Sequence, residues 1–252
     1  ALNAGGLTIY GADGTALETA QFSCRAAVLR SGGGLVLGFD AGGRSLRVMD
    51  GAGSVCLSIE SEGTLLDADL SADGALCTLE LLPGYKSVLT VYDNRQRQIY
   101  RYYSSTRYFS QCAISADGST VCAAALGDGS SSYATQGVLF ETDTETPVAE
   151  FSLGSALVWE LRFLGDGTLC TVTEDGAALF TSEGAPRGSY DCAAMQDYAL
   201  DGSGFLLLAP DAARAGCALV SLAPDGTVLA ESGLTEAILS ISAAGEHCAV
   251  LT

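Results

Sequence analysis

Ser71-Ala72-Asp73-Gly74 recurs as Ser115-Ala116-Asp117-Gly118, and the reading of these two tetrapeptides decides the fold. Ala-Asp suits the centre of a type I turn, and the Gly behind it takes the left-handed backbone that a G1 bulge requires. Each tetrapeptide is therefore expected to join two strands of a hairpin. Degenerate copies end at Gly34, Gly167, Gly204 and Gly245, so the six glycines stand 40, 44, 49, 37 and 41 residues apart. From Gly245 through the C-terminus and back in to Gly34 is again 41 residues. A spacing that closes on itself describes six units of about 42 residues arranged on a circle.

The flanks agree. Six residues before each glycine stand Val28, Ala68, Cys112, Leu161, Tyr198 and Leu239, and three after it Leu37, Cys77, Val121, Cys170, Leu207 and Cys248. Five after it come Phe39, Leu79, Ala123, Val172, Ala209 and Val250, so every one of these positions is apolar. A second hairpin series runs out of phase with the first, marked by Ile9-Tyr10, Val48-Met49, Val91-Tyr92, Leu139-Phe140, Leu179-Phe180 and Leu222. Two hairpins per unit make four strands. Radial repetition of four-stranded units of about 40 residues predicts an all-β, six-bladed β-propeller with four antiparallel strands per blade. The blades are expected near 23–60, 64–102, 106–152, 156–190 and 193–232, the sixth being assembled from 235–252 and 5–21. The N- and C-terminal strands thus close the last blade, and residues 1–252 read as a single domain.

Composition narrows the partners. Apolar residues make up 48% of the 252, charged ones only 17%, which suits a chain that buries a core. No apolar run approaches the ~18 residues that a membrane crossing needs, so no membrane contact of the domain itself is expected. Thirty acidic against twelve basic side chains give a formal charge of −18, which repels phosphate backbones and excludes nucleic acid as a natural partner. Ala1 opens the chain, and Met49 and Met195 are its only methionines. A processed or trimmed form is expected, with a signal segment or membrane anchor ahead of it.

The nine cysteines contain no C-x-x-C pair, and His247 is the single histidine, so no metal site is expected. Cys77, Cys170 and Cys248 share one repeat position, with Cys122 one residue later in its own copy. Equivalent positions of a ring are too far apart to bridge, so these read as core thiols. Cys112 and Cys122 become directly opposed if Ser115 pairs with Ser119, which leaves a bond between them open.

The Ser-Ala-Asp-Gly turns at 71–74 and 115–118 resemble the Ser-Pro-Asp-Gly turns of the broad superfamily of WD40, TolB-like and quinoprotein-like propellers. The resemblance covers the whole chain and implies the fold; its members include scaffolds, sensors and enzymes. The Trp-Asp dipeptide of WD40 repeats is absent, Trp159 being followed by Glu160. The chain also resembles uncharacterised propellers of Gram-positive gut bacteria that follow an N-terminal membrane anchor. That likeness implies an extracytoplasmic location, a cytoplasmic one staying open.

Chemistry in a propeller is sought on the axial strands, whose polar residues here are Asp67, Asp69, Gln111, Trp159, Glu160, Arg162, Gln196 and Asp197. Asp67, Trp159, Glu160 and Arg162 are the axial candidates for a small-ligand site or for a hydrolytic or lyase-type enzyme. The Asp-box of sialidase-like propellers is absent, as are a calcium loop, a phosphate loop and a nucleophilic triad, so neither catalysis nor a cofactor is expected. Residues 92–109 instead hold five of the ten tyrosines and four of the twelve basic residues. Tyr and Arg dominate protein interfaces, which makes Arg95, Arg97, Tyr100, Arg101, Tyr102 and Tyr103 a candidate surface for a protein or cell-envelope partner. The competing reading is an edge strand whose tyrosines cover the neighbouring blade. The Gly- and Ser-rich insertion Leu126–Gly137 is either a recognition loop or a tolerated loop tip. The expected function is a monomeric, non-catalytic module for interaction or sensing.

Overall fold

The computed structural model describes residues 1–127, 134–192, 194–200, 206–210, 218–244 and 247–252. Gly204, Gly245, Cys217 and residues 128–133 of the Leu126–Gly137 insertion lie outside the described residues. The described residues form strands joined by turns and bends, with no helix.

A three-stranded sheet comes first: β1 (Leu2–Asn3), β2 (Gly6–Tyr10) and β3 (Ala16–Gln21). Five four-stranded antiparallel sheets follow, each in chain order. One is β4 (Ala27–Gly32), β5 (Leu35–Asp40), β6 (Ser45–Asp50) and β7 (Val55–Glu60). The next is β8 (Thr64–Leu70), β9 (Leu76–Leu81), β10 (Ser87–Tyr92) and β11 (Gln98–Ser104). Then come β12 (Phe109–Ile114), β13 (Thr120–Ala125), β14 (Thr135–Glu141) and β15 (Ala149–Gly154). The fourth holds β16 (Val158–Phe163), β17 (Leu169–Thr173), β18 (Gly176–Phe180) and β19 (Pro186–Asp191). The fifth holds β20 (Met195–Leu200), β21 (Leu206–Pro210), β22 (Ala218–Leu222) and β23 (Val228–Gly233). A two-stranded sheet, β24 (Ser240–Ala244) and β25 (His247–Leu251), ends the chain.

The chain divides into two compact units, Ala1–Leu126 with Phe140–Val148, and Gly127–Leu139 with Ala149–Thr252. In the first, Leu37, Phe39, Leu46 and Val48 pack with Leu65, Ala68, Leu70 and Leu76. In the second, Cys170, Val172 and Leu179 pack with Leu206, Leu208, Val220 and Leu222. Second strands are buried on both faces, and their sequences are accordingly near-continuous in small or apolar residues: Thr-Val-Cys-Ala-Ala-Ala in β13, Leu-Leu-Leu-Ala-Pro in β21. Fourth strands such as β19, Pro-Arg-Gly-Ser-Tyr-Asp, are open to solvent.

The turns form as their sequence demands. Ser71 and Ala75 close the first, with Gly74 N–H donating to Ser71 O at 3.1 Å and Gly74 at φ +84°. The second is one residue longer: Ser115 N–H donates to the carbonyl of Thr120, not Ser119. That residue corrects the expected Cys112–Cys122 opposition. Cys112 faces Ala123 while Cys122 faces Ala113, so the two thiols leave opposite faces of the sheet and are not bonded to each other. It also brings Cys122 into the ladder position of Cys77, since Asp69 faces Cys77 two residues before its turn just as Ala113 faces Cys122.

Cys77, Cys122 and Cys170 are buried, as core thiols should be. Cys248 is exposed, and so are Leu239 and Val250 of the same unit. These three expected core positions lie on or beside a sheet of only two strands, which leaves their faces uncovered.

Candidate functional site

The first strand of four sheets carries a β-bulge at one point: between Leu65 and Asp67, Phe109 and Gln111, Val158 and Glu160, and Met195 and Asp197. The extra residue re-aims the side chains next to it. Asp67, Gln111, Glu160 and Asp197 therefore stand at one repeated position, and Trp159 and Gln196 are bulge residues. Three of the four reach to the first strand of the following sheet. Asp67 Oδ2 accepts the backbone N–H of Cys112 at 2.9 Å, and Asp197 Oδ2 that of Ile241 at 2.7 Å. Glu160 Oε2 accepts the hydroxyl of Tyr198 at 3.1 Å. Asp69 adds a further bond of this kind, from Ile114 N–H at 3.1 Å.

Of the axial candidates, the structure brings Glu160 and Arg162 together as an ion pair, Nη2 to Oε1 at 3.1 Å. Trp159 packs against the apolar core of the second unit, and Asp67 belongs to the first unit. Glu160 also acts on Cys170, whose thiol is pushed up to about 12 by burial and then by the charge of that carboxylate. None of these four residues lines the cleft at Ile59–Glu62 or the opening at Ser152–Ala156.

The Arg- and Tyr-rich segment is divided by strand alternation. Tyr100 and Tyr102 turn to one face of β11 and pack on Phe140, at centroid separations of 6.4 and 4.8 Å. Arg101 and Tyr103 turn to the other, with the guanidinium 5.2 Å from the Tyr103 ring centre and Tyr103 stacked on Tyr85 at 4.7 Å. Lys86 lies over Tyr108 at 5.1 Å. Tyr85, Tyr103 and Tyr108 are 44–50% exposed. Arg97 folds back onto Asp93, its Nη2 2.6 Å from Oδ2, and the Arg97 backbone N–H first, then its guanidinium, hold that carboxyl below its usual range. Arg95 donates its backbone N–H to the same carboxylate and leaves an exposed side chain. The six expected residues thus separate into two packing tyrosines, a turn-closing pair of arginines, and a half-buried Arg101 beside the exposed ring of Tyr103, which Tyr85, Lys86 and Tyr108 extend.

Behind that stack runs a buried polar row. Thr78, Thr90 and Arg101 are opposed across β9, β10 and β11, and Glu80 and Tyr92 share their face by two-residue alternation. Glu80 accepts from Ser61 Oγ and from Arg101 Nη2, the latter at 3.1 Å. Thr90 Oγ1 and Arg101 Nε are buried with no hydrogen-bond partner, and each such group costs about 1–3 kcal/mol. The row borders a cleft of 180 Å³ whose opposite wall is Ile59–Glu62 and Leu65. Thr78, only 3% exposed, lines it and makes no side-chain hydrogen bond. Glu60 is held below its ordinary value by Arg47 first, then by Ser45. Tyr92 is pushed up by burial and by the charge of Glu80. Sequence reasoning passed over Thr78, Glu80 and Thr90, although the alternation of polar Thr78 and Glu80 with apolar Cys77 and Leu79 was readable. In the second unit an opening of 300 Å³ is walled by Ser152, Asp175, Phe180, Ser189 and Asp191.

Repeated four-stranded antiparallel sheets, knitted first strand to first strand by buried acids, define a β-propeller. The chain belongs to the family described as a family of unknown function (DUF5711), whose model matches residues 1–243. Among solved structures it is similar to the β-propeller domain of Cps50 (Swd1) from Myceliophteria thermophila, with a TM-score of 0.62 at 11% identity. The match covers 88% of this chain and 77% of that one, and carries the fold alone. No curated protein matches the chain.

Proposed function

We propose that this propeller is a non-catalytic interaction module displayed outside the cytoplasm, a monomeric ring of six blades in which β24–β25 and β2–β3 are the halves of the sixth. The observation that carries the reading is the exposed Tyr85–Tyr103 pair and Tyr108, with the half-buried cations Lys86 and Arg101 beside them. It is a cationic and aromatic surface on a chain of net charge −18. Interfaces draw on these residue types, and a partner segment bearing carboxylates meets complementary charge here and repulsion over most of the remaining surface.

A photo-crosslinking side chain placed at Tyr103 in living cells should give a discrete protein adduct that is absent when the probe sits at exposed Tyr10. Changing Lys86 and Arg101 to Glu together should remove it. Equal adducts from both sites, or none from Tyr103, would exclude the surface. The location is tested with a membrane-impermeant maleimide, which should label exposed Cys56 and Cys248 in intact cells without lysis. Closure of the ring is tested by hydrogen exchange: β25 amides should exchange as slowly as those of β21, and fast exchange there would mean an open ring.

A further inference from the structure

We infer that the cleft between Ile59–Glu62 and the polar row of β9–β11 binds a small, neutral, polyhydroxylated molecule about the size of one sugar unit. Its 180 Å³ equals the share of about six waters in the liquid, and is below the ~300 Å³ at which pockets for larger ligands begin. Two of its three carboxylates are already paired. Arg101 holds Glu80 and Arg47 holds Glu60, so an added anion meets Glu62 and an added cation finds two of the three carboxylates engaged. Polar groups of both senses remain. Thr78 offers a hydroxyl that nothing in the fold uses, although its residue is almost wholly buried. Tyr92 keeps its phenolic proton because burial and Glu80 oppose its loss. Glu60 and Glu62 supply acceptors. A ligand hydroxyl donates and accepts at once, so a polyol satisfies this wall where an apolar molecule would leave it unpaired.

The site shares Arg101 with the proposed partner surface, so its test leaves that residue unchanged. Saturation-transfer NMR with D-glucose and glycerol as probes should show transfer from the wild-type protein. Thr78→Val keeps shape and removes the hydroxyl, and it should weaken glucose binding about tenfold. Glu62→Gln, at an exposed position, should weaken it several-fold and guards against a Thr78 variant that fails to fold. Absence of transfer to both probes, transfer in the two variants equal to that of the wild type, or stronger binding of lysine or acetate than of glucose would overturn the inference. A Tyr103 adduct that persists in Thr78→Val would leave the partner surface standing whichever way the cleft behaves.

Discussion

The Asp67 carboxylate takes the backbone N–H of Cys112 from the first strand of the next sheet at 2.9 Å, with Asp67 itself 5% exposed. An N–H at the edge of a sheet is thereby satisfied by a side chain from its neighbour. Asp67→Ala should cost about 2–3 kcal/mol, because it leaves that donor buried and unpaired. Asp67→Asn keeps an acceptor and should cost less than half as much. Urea titration of the two variants decides the matter; equal losses would show that the charge, and not the hydrogen bond, carries the stability.

Alternation on β11 sets a second contrast. Tyr102→Ala removes a ring packed 4.8 Å from Phe140 and should destabilise by about 2–3 kcal/mol. Tyr103→Ala removes an exposed ring and should cost under about 1 kcal/mol. Thermal melting of both variants checks the pair, and similar losses would contradict the opposite facing of the two rings.

Two turn glycines share a left-handed backbone but not their surroundings. At Gly34, φ +72°, an added Cβ would meet nothing, so Gly34→Ala should cost about 1–2 kcal/mol from backbone strain alone. At Gly118, φ +75°, it would stand 2.7 Å from the Cβ of Ala75, adding a clash. Gly118→Ala should therefore cost about 2–3 kcal/mol, as chemical denaturation would show.

Alkaline pH should destabilise the fold through its buried thiols. Cys77 and Cys112, with sulfurs 3.6 Å apart, are both pushed up chiefly by burial, and Cys170 reaches about 12 from an ordinary 9.0. A thiol whose folded pKa is raised contributes stability fully below 9.0 and loses it as pH climbs through the folded value. Unfolding free energy measured from pH 8 to 11 should fall progressively. Cys170→Ala should flatten part of that fall, and an unchanged slope would refute the assignment. Maleimide at pH 7 should meanwhile modify Cys56 and Cys248 and spare Cys77, Cys112 and Cys170 until the chain unfolds.

The repeated hairpins were legible because turn chemistry and strand burial are local: Ser71–Gly74 and the apolar positions around it carry their own instructions. Registers one residue apart were not legible, since nothing in Gly118-Ser119-Thr120 announces which residue resumes pairing. Nor were the acid contacts. A buried Asp67 and an exposed one read alike until a bulge aims the side chain at a neighbouring strand. The Arg- and Tyr-rich segment was visible as composition, but only the pleat of β11 separates Tyr100 and Tyr102, which pack on Phe140, from Arg101 and Tyr103, which take the opposite face. Thr78, Glu80 and Thr90 are single polar residues on otherwise apolar strands, and their significance lies in the cross-strand row they form.

The longer turn at Ser115–Thr120 keeps its additional residue wholly within the tip, so every side chain of β13 retains the orientation of its counterpart in β9. Changes of length at these tips are thus decoupled from the interior: copies of the unit are free to diverge in size, by duplication and small insertions, without any one of them turning its strand inside out.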